Sequence, residues 1–388
     1  TTLGGNTLST NITQNDGKAP VLFNARRYVG DNDATSKILG YGFQPDLVWA
    51  KRRDATKEHM LVDSVRGIGK FLEADTNDAE NPNSAVVKSF ESDGFRPGNS
   101  SIANSDGGKY VAWAWKAGGA PTATNTNTSG AMTANSVSVN GVLQGSNGVS
   151  SYTPSGSPSI YPKKMSVNTA GGFSIIQYAK NSTAGATLPH GLSQAPEMVI
   201  VKDLDGSNDW QVYHSSMGNT KYILLNDDAN SSTGTSPHTR WYNTSPDSNV
   251  VTLDAGGHVN GPDGPNYIMY CFHSVSEVSA FGTYEGRTGG WASDPGGNNG
   301  GAIDVGFKPK FIITKNIDTD STHWMLFDSF REASDTKNTS LYPNLENEEN
   351  SNNDRSVTFD TTGFKFNSTA SHSGVNTNGD TYIYMAFA

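Results

Sequence analysis

GYGFQPDLVWAK, running from Gly40 to Lys51, decides the fold because the chain repeats it: HGLSQAPEMVIVK spans His190 to Lys202, and VGFKPKFIITK spans Val305 to Lys315. Each copy holds a Pro, a run of β-branched or aromatic residues, and a Lys six positions after the Pro. Short apolar runs of this kind, bounded by Pro and polar turns, read as buried strands.

The register extends well past the motif. Asp63-Ser64, His214-Ser215 and Asp328-Ser329 follow Pro45, Pro196 and Pro309 by eighteen, eighteen and nineteen positions. An apolar residue, an acid and a Gly recur as Phe90-Glu91…Gly94, Leu253-Asp254…Gly257 and Phe359-Asp360…Gly363. Each copy closes on a six-residue apolar run, YVAWAW from Tyr110, YIMYCF from Tyr267 and YIYMAF from Tyr382, three positions after a Gly. Four anchors in the same order, three times, signal internal triplication.

Between motif and closing run, HMLVDS, WQVYHS and WMLFDS follow a polar patch, so each motif opens a β-hairpin. Runs apolar at nearly every position are covered on both faces or sit at a packed interface. No stretch carries helical periodicity. The expectation is an all-β chain of three tandem β-sandwich-like repeats of about 100 residues. The divisions are an N-terminal arm over 1–20, repeat one over 21–119, a Ser/Thr/Asn/Gly-rich linker or arm over 120–171, repeat two over 172–276 and repeat three over 277–388. In the 120–171 segment SVSVNGVLQ is hairpin-like, and an arm there would add a strand to a neighbouring subunit. Trp49→Asp is expected to harm stability more than Pro45→Ala, because a charge in a dry sheet lacks a partner.

Hydrophobic residues make up 34% of the 388 and charged residues 17%, and Gly, Asn, Ser and Thr fill much of the balance. Such a composition suits short strands, many turns and a polar, weakly charged surface. The net charge of −10 disfavours nucleic acid and anionic membrane as partners. Cys271 is the only cysteine, so there is no intrachain disulfide and no Cys-based metal cluster. No apolar run is long enough to cross a membrane as a helix, and TTLGGNTLSTN has neither the basic nor the apolar part of a secretion signal.

Candidate chemistry is sparse. Asp63-Ser64 with Arg66, and Asp328-Ser329 with Arg331, form an acid-and-base clamp read as a turn cap with an ion pair, with binding of a sugar hydroxyl or carboxylate as the rival; the second copy, His214-Ser215-Ser216-Met217, lacks both the Asp and the Arg. Asp31-Asn32-Asp33, Asp203-Leu204-Asp205 and Asp318-Thr319-Asp320 place oxygens at alternate positions but lack the Gly and Glu of an EF-hand loop, so Asx-turns are expected and Ca²⁺ is the rival. There is no HExxH, GxSxG or P-loop, and no catalytic residue, metal site or cofactor is assigned. The best contact candidates are Trp241-Tyr242 with Arg240, and Trp291 with Arg287, because a ring beside hydrogen-bonding groups in a polar loop can stack on a sugar face.

YPKKMSVNTAGGFSIIQY (Tyr161–Tyr178), TAGATLPHGLSQAPEMVIVK (Thr183–Lys202), VDSVRG (Val62–Gly67) and SDGF…YVAWAWKAGG (Ser92–Gly119) resemble a family of uncharacterised repeats in virion proteins of marine tailed phages. The resemblance covers nearly everything after residue 20 and supplies no catalytic residues. It implies a non-enzymatic structural protein on the outside of a bacteriophage particle, assembled in the host cytoplasm: a tail-fibre, tail-tip or receptor-binding component that contacts host-surface glycan. A capsid decoration or head-fibre protein with a purely architectural role, and a polysaccharide depolymerase, are the alternatives. Partners are then other virion structural proteins and host glycan, with the chain either a homotrimer or a pseudo-threefold monomer.

Overall fold

In the computed structural model, residues 21–233, 240–255, 258–261, 265–287, 302–367 and 372–388 are described; the arm expected over 1–20, and Trp291, lie outside them. The three motif runs are strands, Leu47–Arg52, Met198–Asp203 and Phe311–Asn316. Each pairs antiparallel with the second strand of its hairpin, Met60–Asp63, Gln211–His214 or Met325–Asp328. On its other side lies the closing strand, Lys109–Trp115, Asn266–Phe272 or Thr381–Phe387. The closing strand pairs in turn with an opening strand, Phe23–Val29, Phe173–Ala179 or Ser279–Glu285. Register repeats along with order: Leu47 faces Trp115 and Asp63, Met198 faces Phe272 and His214, and Phe311 faces Phe387 and Asp328. Among the described residues the only α-helix is the single turn Ser101–Asn104.

Alternate side chains of a strand point to opposite faces, and here both faces are covered. In the first lobe Val48, Ala50, Ala112 and Ala114 face a local core, roofed by Ile38–Leu39, Val87–Glu91 and Gly94–Pro97. Val199, Val201, Met269 and Cys271 do the same in the second lobe, and Ile312, Tyr384 and Ala386 in the third. The other set of side chains, including Trp49, Trp113, Trp115, Ile200, Phe272, Phe311 and Phe387, enters one core common to all three lobes. Rings from different lobes touch there: Phe311 lies 5.7 Å from Trp115, and Phe387 6.2 Å from Phe272. Each sandwich-like repeat therefore has a local core on one face and shares a core with its neighbours on the other. Each lobe closes one face alone and the other only against its neighbours. At roughly 1.5–3 kcal/mol per large apolar side chain buried, a lobe by itself would forgo several such contributions.

Polar contacts between lobes run in one sense around this core. The Trp210 indole donates to the Glu73 carbonyl (2.9 Å) and the Trp324 indole to the Leu224 carbonyl (2.8 Å), second lobe to first and third to second. The first lobe completes the circuit. Its Arg53 makes a bidentate pair with Glu349 of the third lobe at 2.7 and 2.8 Å, and the Lys51 ammonium donates to the Glu346 carbonyl at 3.1 Å. A head-to-tail contact that closes after three steps makes a ring, here within one chain. The lysine that ends each motif run serves these seams and their loops: Lys315 donates to the Asn316 and Asp228 carbonyls, and Lys202 to those of Asp203 and Gly206. Burial pushes Lys51, Lys202 and Lys315 each down to about 8.

A second set of seam contacts lies at the ends of the second strands. Asp63 accepts the backbone amides of Val65 and Arg66, pairs with Arg66 Nε at 2.5 Å, and receives the Tyr270 hydroxyl from the second lobe at 2.8 Å. Asp328 repeats this with Arg331 Nε at 2.6 Å and the Trp113 indole of the first lobe at 3.3 Å. His214 takes the third place, its Nε2 lying 3.3 Å from the Tyr384 carbonyl of the third lobe. The clamp read from Asp-Ser-x-Arg is thus an internal fastener.

The segment expected as linker or arm is built into the second lobe. Val137–Val139 and Val142–Leu143 form a hairpin around Asn140-Gly141, both at positive φ (50° and 85°), the pattern that a two-residue turn of matching twist demands. Val137–Val139 pairs in parallel with Met165–Val167 of the same chain, so the strand is added here and not to a neighbouring subunit. Gly118 passes so close that a Cβ would come within 2.3 Å of the Ser138 carbonyl oxygen, which ties the crossing between lobes to a residue without a side chain.

Candidate functional site

The residues favoured from sequence do not form a sugar platform. Trp241 is fully buried, donates its indole N–H to the Lys221 carbonyl at 3.1 Å and meets Tyr213 edge-on at 5.6 Å. It is a packing anchor, because strands distant in sequence cover a ring whose immediate neighbours are polar. Arg240 braces the same region: its guanidinium lies 4.3 Å over the Tyr222 ring and Nε donates to Gln211 Oε1 at 2.9 Å. Tyr242, half-buried at φ 49°, lays its ring against Gly185. Arg287 belongs to the third lobe; its side chain is exposed, and Asn376 brackets its backbone with bonds of 2.8 and 2.9 Å. Trp291 lies outside the described residues.

Other reactive groups are consumed by the architecture. Cys271 is buried in the second lobe, and burial pushes its thiol up, away from the nucleophilic thiolate. The Asp-rich loops are Asx-turns: Asp31 Oδ1 accepts the Asp33 amide at 2.9 Å, and Asp203 Oδ1 accepts the Asp205 amide at 2.9 Å. At Asp318-Thr319-Asp320 the turn acceptor is the preceding Asn316, which takes the Asp318 amide at 2.9 Å. Among the described residues no three His, Cys, Asp or Glu gather as a metal ion would need.

What the surface does offer is a polar cleft of about 190 Å³ on the second lobe, walled by residues 125–128 on one side and 159–163 on the other, with Ala179 and Asn181 beneath. Asn125 sets its shape. The Asn125 side chain is buried, accepts the amides of Asn127 (3.1 Å) and Thr133 (3.0 Å), and donates to the carbonyls of Asn127 and Pro162, both at 2.9 Å. Its backbone amide donates to the Lys163 carbonyl at 2.8 Å, so one residue joins both walls. Around the rim Thr126, Asn127, Thr128 and Asn181 are exposed, while Tyr161 and Lys163 are half-buried. Tyr161 leans its ring on the local core of the lobe. The Lys163 ammonium makes no ion pair or hydrogen bond among the described residues, and the lining contains no carboxylate.

A sequence signal for this region exists in charge placement. All 38 acids of the chain lie outside residues 107–196, whereas Lys109, Lys116, Lys163, Lys164 and Lys180 lie inside. In a chain of net charge −10 that stretch is a cationic island, and it holds every residue of the cleft.

A family model described as a domain of unknown function (DUF7483) matches residues 18–161 and, in a second overlapping match, residues 144–388. No curated protein and no solved structure matches the chain.

Proposed function

The chain belongs to this family, whose description names no activity, and we propose that it is a structural protein of the outer surface of a tailed-phage virion that meets host-surface glycan through the cleft on its second lobe. The observation that carries the reading is the contrast between a ring whose buried Asp63 and Asp328, buried lysines and thiol are committed internally and a preset, uncharged-to-cationic cleft on the outside. Amides, hydroxyls and one partly exposed aromatic ring are the groups with which proteins hold sugars. The virion setting is supported by the resemblance carried by Tyr161–Tyr178, Thr183–Lys202 and Ser92–Gly119.

The architectural rival, a capsid decoration that never meets the host, draws support from the threefold closure: one chain presents threefold-like symmetry to a threefold position on a particle. The depolymerase rival lacks support in the cleft, since glycoside hydrolysis uses a pair of carboxylates across the bond. Binding of the purified chain to host cells and to immobilised host polysaccharide is the expected outcome, without loss of polymer size. Absence of binding, with particles still ordered around the protein, would overturn the attachment reading in favour of architecture. Imaging of labelled particles then assigns tail or head. We also propose that the chain is monomeric before it joins other virion proteins, with the ring satisfied internally; a native mass of three chains would overturn this.

A further inference from the structure

We infer that the cleft binds a single pyranose ring carrying a carboxylate, a uronate-type unit of surface polysaccharide; this rests on the reading of the chain as a glycan-meeting virion protein. Size limits the ligand first. The cleft, about 190 Å³, falls below the roughly 300–1,000 Å³ of sites that enclose drug-sized molecules, so it takes one ring and leaves the flanking units of a polymer in solvent.

Charge selects next. Lys163 lines the cleft with no protein acid to neutralise it, and the lining carries no carboxylate to repel an anion. Lys164 adjoins Lys163 in sequence, inside the stretch that holds none of the 38 acids. Elsewhere the chain is acidic enough to repel anionic polymers, so a uronate is steered to this one region. An ammonium facing a carboxylate gives a charge-assisted bond stronger than any a neutral sugar could form with the same residue.

Neutral groups complete the recognition. The Tyr161 ring is half-buried, and no hydrogen bond engages its hydroxyl among the described residues. Asn127 commits its Nδ2 to the Ala131 carbonyl at 2.8 Å and keeps Oδ1 for a ligand hydroxyl; the Thr128 hydroxyl is likewise uncommitted. Because Asn125 already fixes both walls, little ordering accompanies binding.

The test compares methyl β-glucuronide with methyl β-glucoside by chemical-shift titration of the whole chain at low salt, in wild type, Lys163→Gln and Tyr161→Ala, alongside binding of each variant to immobilised host polysaccharide. Lys163 and Tyr161 reach the surface, so folded variants are expected, checked by unchanged thermal midpoints. The proposal expects saturable glucuronide binding that weakens roughly tenfold in Lys163→Gln, with the glucoside weak in both. Equal binding of the two glycosides by wild type, or no change on Lys163→Gln, overturns it. If host polysaccharide binds equally to wild type and Lys163→Gln, the attachment reading survives and the cleft assignment falls. If glucuronide binds and no host polysaccharide does, the cleft assignment survives and the attachment reading falls.

Discussion

At Asp63 the first lobe buries a charged pair, Arg66 Nε 2.5 Å from the carboxylate, and takes the Tyr270 hydroxyl from its neighbour. At the matching place the second lobe carries His214, whose Nδ1 accepts the Ser216 amide, leaving Nε2–H to donate to the Tyr384 carbonyl. The difference follows from the residue across the seam. Tyr270 and Trp113 have donors for an acid to accept, but the equivalent position of the third lobe is Met385. An aspartate facing Met385 would be a buried charge short of a donor. A neutral ring that reaches a backbone carbonyl removes the need for one, and Met217 replaces the arginine that no longer has an acid to pair with.

The largest effect should come from breaking a charged corner. Asp63→Leu takes from the buried Arg66 guanidinium its partner at 2.5 Å, leaving only Glu80 Oε1 at 3.3 Å as a carboxylate, and should cost about 3–5 kcal/mol, read from urea unfolding. A cost below that of His214→Leu would break the comparison.

Acid should separate the corners next. Burial lowers His214 from 6.5 to about 4, so between those values the unfolded chain takes up a proton that the folded ring refuses. The stability it contributes is whole above pH 6.5 and is lost as pH falls toward 4. Relative to His214→Asn, wild type should lose roughly 3 kcal/mol over that window; parallel stability curves for the two proteins would contradict the buried neutral ring.

A transplant sharpens the argument further. His214→Asp should be strongly destabilising, and adding Met217→Arg should restore part of the loss, with a coupling of about 0.5–3 kcal/mol in a double-mutant cycle. Additive effects would mean that the corners are not interchangeable. Tyr270→Phe, which removes only the donor to Asp63, should cost about 1–3 kcal/mol through an unsatisfied acceptor. Met385→Leu, which keeps volume and offers no donor in either form, should cost less than about 1.5 kcal/mol. Reversal of that last order would remove the donor from the explanation.

Much of this scaffold could be read directly from residues. VWAK, IVK and IITK announced strands, the recurring Asp-Ser and the closing runs gave their partners, and VNGV announced a tight hairpin. What escaped was the object against which the strands pack. Alternation in YVAWAW shows that both faces are buried, yet the side facing Trp113 and Trp115 is completed by Phe311 and Phe387, residues some two hundred or more positions away. A single sandwich covers only one face of each sheet, so double-sided burial in all three closing runs already required a second partner. At the candidate site, Trp241 sits among polar neighbours in sequence while its indole is buried beside Tyr213, a contact that local composition does not encode. The cleft left its trace in where acids are missing, a pattern visible only across ninety residues and not within any motif.

Phe23, in the opening strand of the first lobe, stacks on Phe387, in the closing strand of the third, with ring centres 5.1 Å apart. Val21 and Ala388 line one shared hollow. The first strand of the first lobe and the last strand of the third are thus held together at one seam of the ring. Chain entering the body at Val21 and chain reaching Ala388 therefore pass through one patch of its surface.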